Sequence, residues 1–229
     1  MVKFCFMFCP NSIFACLLYW ENFKGRIGVN FNQNKIILDL CGGTGAWSKP
    51  YAEAGYDVMN ITLPEYDVME YEPPDNVYGI LAAPPCTMFS FARTNAKEFR
   101  NLKGGMGVVI ACLNIIWECQ YKIITNTQKH SPLKFWCLEN PNGFLKYFLG
   151  KPAYEFNPYD FGDYYKKKTH LWGWFYFPVA QPVESGGLLK FDSLKTKEIY
   201  PEYYGKLTRQ ERRTITPPGF AKAFFEANR

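Results

Sequence analysis

Lys35-Ile36-Ile37-Leu38-Asp39-Leu40-Cys41-Gly42-Gly43-Thr44-Gly45 is the stretch on which the fold turns. Lys35 to Leu40 reads as a buried strand, because Ile36, Ile37 and Leu38 form a continuous apolar run that ends at Asp39, and a glycine-rich turn follows at once. Ala46 to Gly55 has the aromatic and alanine spacing of a helix stopped by a glycine cap, and Tyr56 to Ile61 alternates like a second strand. That is a β-loop-α-β unit. Val77 to Ala82 supplies another strand, Gly105 to Tyr121 an apolar helix, and Phe135 to Leu138 the strand after it. Strands alternating with helices predict a doubly wound α/β domain: a mainly parallel sheet with helices on both faces.

Beyond Gly150 the texture changes to aromatic, proline and lysine residues, with Gly186-Gly187, Pro178, Pro182 and Pro201 as punctuation, which predicts loops and short strands. Pro217-Pro218-Gly219 then opens a last helix, Phe220 to Asn228, with Phe220, Ala223, Phe224 and Ala227 on one face. No internal repeat is evident. At 229 residues, 48% of them hydrophobic, the chain has enough material for one core and one domain. The division expected is residues 34–229 as the domain, with 174–216 as a small irregular insertion and 1–33 as an N-terminal extension. Met1 to Trp20 is rich in Phe and Cys, but Pro10 and Asn11 interrupt it and no small-residue cleavage site follows. A packed or dispensable extension and a misassigned start codon both fit it, and no membrane span is expected.

The formal charge of +5 is modest, yet Lys166-Lys167-Lys168 are adjacent and Arg209, Arg212 and Arg213 cluster. Such clusters suit an anionic partner, or a solvated face that binds nothing. The eight cysteines, at 5, 9, 16, 41, 86, 112, 119 and 137, show neither CxxC spacing nor a regular framework, which favours free thiols in a reducing compartment. His130 and His170 are the only imidazoles, neither at ligand spacing, so no metal site is expected.

Three strand ends carry the chemistry. In Leu81-Ala82-Ala83-Pro84-Pro85-Cys86 a strand stops at two prolines, which fix φ and cannot extend a ladder, and hands the chain to a thiol. Leu138-Glu139-Asn140-Pro141 repeats the arrangement with a carboxylate. Gly42, Gly43 and Gly45 let backbone approach a ligand, although their spacing is not GxGxxG. In open α/β sheets ligands bind at the carboxyl ends of strands, so the three loops converge there. Each alone also reads as ordinary structure: a buried core thiol, a plain tight turn, an exposed charge. Together they point to an acid beside a thiolate.

Asp39-Leu-Cys-Gly-Gly-Thr-Gly45, Pro84-Pro85-Cys86, Glu139-Asn140-Pro141 and the lysine-rich 166–173 occur in the order shown by DNA cytosine-5 methyltransferases, and the chain resembles that family over residues 35–228. It looks most like the compact members of bacteriophages and prophages, which carry blocks like Gly42-Gly43-Thr44-Gly45-Ala46-Trp47, Lys168-Thr169-His170-Leu171-Trp172-Gly173 and Thr216-Pro217-Pro218-Gly219-Phe220-Ala221. The resemblance implies a Rossmann-like S-adenosylmethionine-dependent methyltransferase fold with a reduced target-recognition region. The expected cofactor site is Asp39, Cys41, Gly42, Gly43, Gly45, Trp47, Asn60, Asp67 and Pro84. The expected substrate-binding residues are Pro85, Ser90, Arg93, Asn140, Lys167 and Thr169. Cys86 would be the nucleophile that adds to cytosine C6, and Glu139 would act at N3. The implied setting is the cytoplasm of a bacterial or phage-infected cell, the partner DNA with its target base flipped out, and the protein a monomer. Positive charge from Arg93 or the 166–168 lysines would favour the thiolate.

The sequence also departs from the family. The second strand ends without the acidic residue that usually holds the ribose, offering Asn60 and Thr62 instead, and Thr87 follows the nucleophile where many members have glutamine. Tyr165, Lys167 and Thr169 stand where the family has Gln-x-Arg-x-Arg, and Pro141 stands where valine is more frequent. About 45 residues separate Trp172 from Pro217, so base-edge readout is limited and the target is short or relaxed. Two alternatives stay open: the same chemistry on RNA or a free cytosine nucleotide, and a catalytically silent protein that binds DNA or the cofactor.

Overall fold

The computed structural model describes residues 32–93, 97–121, 133–183 and 205–229. Residues 1–31, with Cys5, Cys9 and Cys16, lie outside that set, as do His130, the Gly186-Gly187 pair, Pro201 and the 184–204 part of the expected target-recognition region.

Six strands form one sheet: β1 (Ile36–Leu40), β2 (Asp57–Ile61), β3 (Val77–Ala82), β4 (Phe135–Pro141), β5 (Tyr154–Phe156) and β6 (Thr169–Trp174), in the order β2-β1-β3-β4-β6-β5. β1 pairs parallel with β2 and β3, and β3 with β4. β6 pairs antiparallel with both β4 and β5, so it alone runs against the other five. The sheet is therefore mixed and mostly parallel, as the alternation of strands and helices implies. The reversed strand is not visible in the sequence pattern.

The strands put successive side chains on opposite faces. Leu38 and Leu40 of β1, Ile80 and Ala82 of β3 and Leu138 of β4 pack with the long helix α2 (Leu102–Tyr121). Ile37, Leu81, Phe135 and Cys137 pack on the other face, against the segment leading into α1 (Lys49–Glu53) and against the C-terminal helix α5 (Pro218–Ala227). Two short helices complete the described set: α3 (Lys146–Leu149) and α4 (Arg209–Arg212). By length and composition α2 could cross a membrane, but its Val109, Cys112, Ile115, Ile116 and Cys119 are buried against the sheet. Each such large apolar side chain contributes about 1.5–3 kcal/mol by leaving water.

Two elements differ instructively from their sequence readings. The helix expected over 46–55 begins only at Lys49, because Pro50 is tolerated in a first turn and not in a helix interior. Residues 46–48 form a turn instead, which turns Trp47 and Ser48 inward. β4 runs to Pro141 rather than stopping at Leu138, because β6 pairs with its last three residues, Glu139 with Leu171, Asn140 with His170 and Pro141 with Thr169. On α5 the buried side chains are Phe220, Ala221 and Phe224. Phe220 stacks on Phe156 with ring centroids 4.0 Å apart, and Phe224 meets Trp47 edge-on at 5.4 Å. The last helix thereby fixes the indole next to the glycine turn.

Candidate active site

At the carboxyl ends of β1, β3 and β4 the chain leaves a cleft of about 560 Å³ of atom-free space, part of it open to solvent. Asp39, Cys41, Gly42, Gly43, Trp47, Pro84, Pro85, Cys86, Glu139 and Lys167 line it, joined by Thr44, Ala83, Pro141, Thr214 and Thr216. The parallel ladder continues past the strands themselves: Ala83 N–H donates to Leu40 O at 2.9 Å and Cys41 N–H to Ile61 O at 2.8 Å. Loops that leave adjacent strands under such bonds must start side by side, which brings thiol and glycine turn together.

The glycine turn is shaped from behind. Asp39 is fully buried, and its Oδ2 accepts the Ser48 hydroxyl at 2.6 Å while Oδ1 has no partner. Burial pushes its carboxyl up to about 6, against the Ser48 hydrogen bond, which pulls it down. Asn60 Nδ2 donates to Gly43 O at 3.0 Å, and Asn60 Oδ1 is buried without a partner. A Cβ on Gly42 would come within 2.4 Å of both Asn60 Oδ1 and Asp39 Cγ, so only glycine fits between them. Cys41 adopts φ +57, a left-handed conformation unusual outside glycine. Its thiol, hydrogen-bonded to Cys112 on α2, is held below the ordinary range despite burial.

The thiol sits on a 3-10 turn, Cys86–Met88, that Pro85 introduces at φ −51. Cys86 O accepts from Phe89 N–H at 2.9 Å and Ser90 N–H at 2.8 Å, and the fully buried Phe89 pins the turn to the core. Arg100, which the sequence reading passed over, donates to Met88 O and Ser90 O, both at 2.9 Å, and holds the exit of the same loop. Asn140, fully buried on β4, donates from Nδ2 to Pro84 O at 2.9 Å.

Electrostatically the two reactive groups share one cation. Burial pushes the Cys86 thiol up; Lys167 pulls it down, Glu139 pushes it up, and Arg213 pulls it down. Burial likewise raises the Glu139 carboxyl, with Lys167 opposing. The lysine expected to favour the thiolate is thus Lys167, not Arg93, and its effect is smaller than that of burial. Of its neighbours, Lys168 pairs with Glu155 at 2.7 Å and Lys166 is exposed. Thr214 and Thr216 reach the cleft from far along the chain, and the charge of Arg213 acts on Cys86 from the same segment; Arg213 and Thr216 belong to the basic cluster and the Thr-Pro-Pro-Gly block read in the sequence, whereas no local signal marks Thr214.

The remaining expected site residues lie off the cleft wall. Gly45 closes the turn at φ +70, and its carbonyl accepts the Ser48 hydroxyl at 3.2 Å. Asp67 is exposed and accepts from Met69 N–H at 2.9 Å. Ser90 accepts from Ala92 N–H at 3.2 Å, and the Arg93 carbonyl is held by Arg100 at 3.4 Å. Thr169 is buried, its hydroxyl donating to Lys167 O at 2.9 Å, so it orients the lysine from the strand below. Asn60 and Asn140 likewise touch loop backbone rather than the cleft interior.

Compared with known proteins, the chain matches no family model, and no curated protein matches it.

Proposed function

We propose that this chain is a Rossmann-like methyltransferase that modifies C5 of cytosine in DNA, with S-adenosylmethionine as the methyl donor. The observation that carries the reading is the convergence of a thiol, a carboxyl group of raised pKa and one lysine in the cleft beside a glycine turn. The residues present fit the donor. Asp39, in the cleft wall, has in Oδ1 an unpartnered acceptor suited to an ammonium group, and the glycine turn leaves open space at Gly43, where a Cβ would meet nothing within 4 Å. Asp39, Cys41, Gly42, Gly43, Trp47 and Pro84 would hold it, with Asn60 bracing the turn. When bound, it supplies an electrophilic methyl group.

The chain's own groups account for activation of the base. Cytosine C5 is a poor nucleophile until a bond forms at C6. Glu139, whose carboxyl burial pushes up with Lys167 opposing, is the group that would donate to N3 and draw electron density from C6. Cys86 Sγ, as thiolate, adds to C6; the C5–C6 π pair moves to C5, which would take the methyl group as its bond to the donor's sulfur breaks and that pair stays on sulfur. Loss of the C5 proton and expulsion of the thiolate restore the double bond, and N3 returns its proton. Because the Glu139 charge opposes ionisation of Cys86, a neutral Glu139 and an ionised Cys86 favour each other beside Lys167.

The test is incubation with labelled S-adenosylmethionine and cytosine-containing DNA, followed by nucleoside analysis. Labelled 5-methylcytosine is expected from the native chain and none from Cys86→Ser. Absence of product from both overturns the reading.

A further inference from the structure

Beside the cleft the two reactive loops continue into one surface. Five residues beyond Cys86 lies Phe91, and five beyond Glu139 lies Phe144; their rings meet edge-to-face with centroids 5.0 Å apart. Ser90 and Gly143 form a backbone bridge beneath them, so both loops present these rings from a fixed base. Phe144 in turn contacts Tyr147 at 6.1 Å. Phe91 is 40% exposed, Tyr147 69% and the neighbouring Phe148 50%, an uncommon cluster of large rings in water.

Cations stand over the rings. Lys146 Nζ lies 5.4 Å from the centroid of Phe91 and 5.5 Å from that of Tyr147, and the Arg100 guanidinium lies 5.0 Å from that of Phe144. Phe148 also contacts the buried Phe89, which pins the Cys86 turn, so the surface and the turn share one support. A partner matched to this surface is both planar-aromatic and anionic. Unpaired nucleotides have that chemistry: their bases stack on aromatic side chains while their phosphates meet the cations. A paired duplex does not, because its base faces are covered by their neighbours and only the edges are presented.

We infer that Phe91, Tyr147 and Lys146 form a stacking platform for a single-stranded polynucleotide, whose bases lie on the rings next to the base held at Cys86. This deepens the proposed reaction and rests on it: the substrate strand is unpaired around its target, so the enzyme meets it as single-stranded nucleic acid or at an opened duplex.

The test measures binding alone. The full chain, without S-adenosylmethionine, is titrated into a fluorescently labelled mixed-sequence 20-mer as single-stranded DNA, as single-stranded RNA and as the corresponding DNA duplex, and anisotropy is read. The single strand is expected to bind about tenfold tighter than the duplex. Tighter binding of the DNA or of the RNA assigns the source of the strand. Phe91→Ala and Tyr147→Ala should each weaken single-strand binding about fivefold or more, the lower range for loss of one base stack, with duplex binding unchanged. Lys146→Ala should reduce the slope of log affinity against log salt by about 0.7. Circular dichroism melts confirm that each variant is folded. Equal or tighter binding of the duplex overturns the platform, as does single-strand binding indifferent to both aromatic variants. Self-association abolished by those variants does so too, since it makes the surface a protein interface. Intact single-strand binding with no 5-methylcytosine in the labelling assay keeps the platform and overturns the reaction; product on duplex with no single-strand preference does the reverse.

Discussion

Asn140 donates from its buried amide to the carbonyl of Pro84, so the strand that carries Glu139 holds the loop that carries Cys86. The Cys86 loop and the Glu139 strand are thereby tied to each other. In Asn140→Ala the Pro84 carbonyl loses its partner, at a cost of about 1–3 kcal/mol. Urea denaturation should show that loss. Methyl transfer should fall more than cofactor affinity, measured by calorimetry, because the turn proposed to hold the donor is braced by Asn60 and Ser48 instead. Equal losses in both would place Asn140 in the cofactor site.

Lys167 opposes burial at both Cys86 and Glu139. With Lys167→Met the thiol and the carboxyl both move further up. The pH midpoint for alkylation of Cys86 by iodoacetamide, followed by peptide mass analysis, should therefore shift to higher pH. An unchanged midpoint would mean that the lysine does not face the thiol in solution.

Gly42→Ala places a methyl group where Asp39 and Asn60 already meet, and backbone or both side chains must give way. Binding of S-adenosylmethionine should weaken by tenfold or more. Gly43→Ala meets no atom within 4 Å, yet its φ of +55 is unfavourable for alanine by about 1–2 kcal/mol, so its effect should appear mainly in stability. Calorimetric binding and thermal unfolding of the two variants separate steric from backbone effects.

Asp39 is an acid whose pKa folding raises from 3.8 to about 6. Its contribution to stability is fully present below about pH 4 and is lost as pH rises through 6; the whole change is about 3 kcal/mol. Asp39→Asn keeps an acceptor for Ser48 and removes the ionisation. The variant should be the more stable protein at pH 7.5 and lose that advantage near pH 4, in urea titrations at the two values. It should also bind S-adenosylmethionine poorly, a trade of function against stability.

What the sequence shows and what it hides divide by the distance over which the determinants act. β1 and β3 are legible because Ile36-Ile37-Leu38 and Leu81-Ala82 are apolar runs with glycine or proline at their exits, all local signals. The placement of Cys86 follows from a strand end in the same way, whereas Glu139 lies inside β4, which β6 extends to Pro141. The direction of β6, the arrival of Thr214 at the cleft, and the clamp of Arg100 on the Cys86 loop depend on pairings between segments far apart, for which no single stretch carries a pattern. The shortened α1 was within reach, since Pro50 announces it.

The reversal of β6 has a chemical consequence. A strand of six residues spans about 20 Å, so if β6 ran with its neighbours its leading end, and Lys167 with it, would emerge at the opposite rim of the sheet. Because β6 runs the other way, its entrance rather than its exit lies beside the reactive pair. The charge that opposes burial at a thiol beyond the end of β3 is thus supplied through the direction of travel of a strand two places along the sheet.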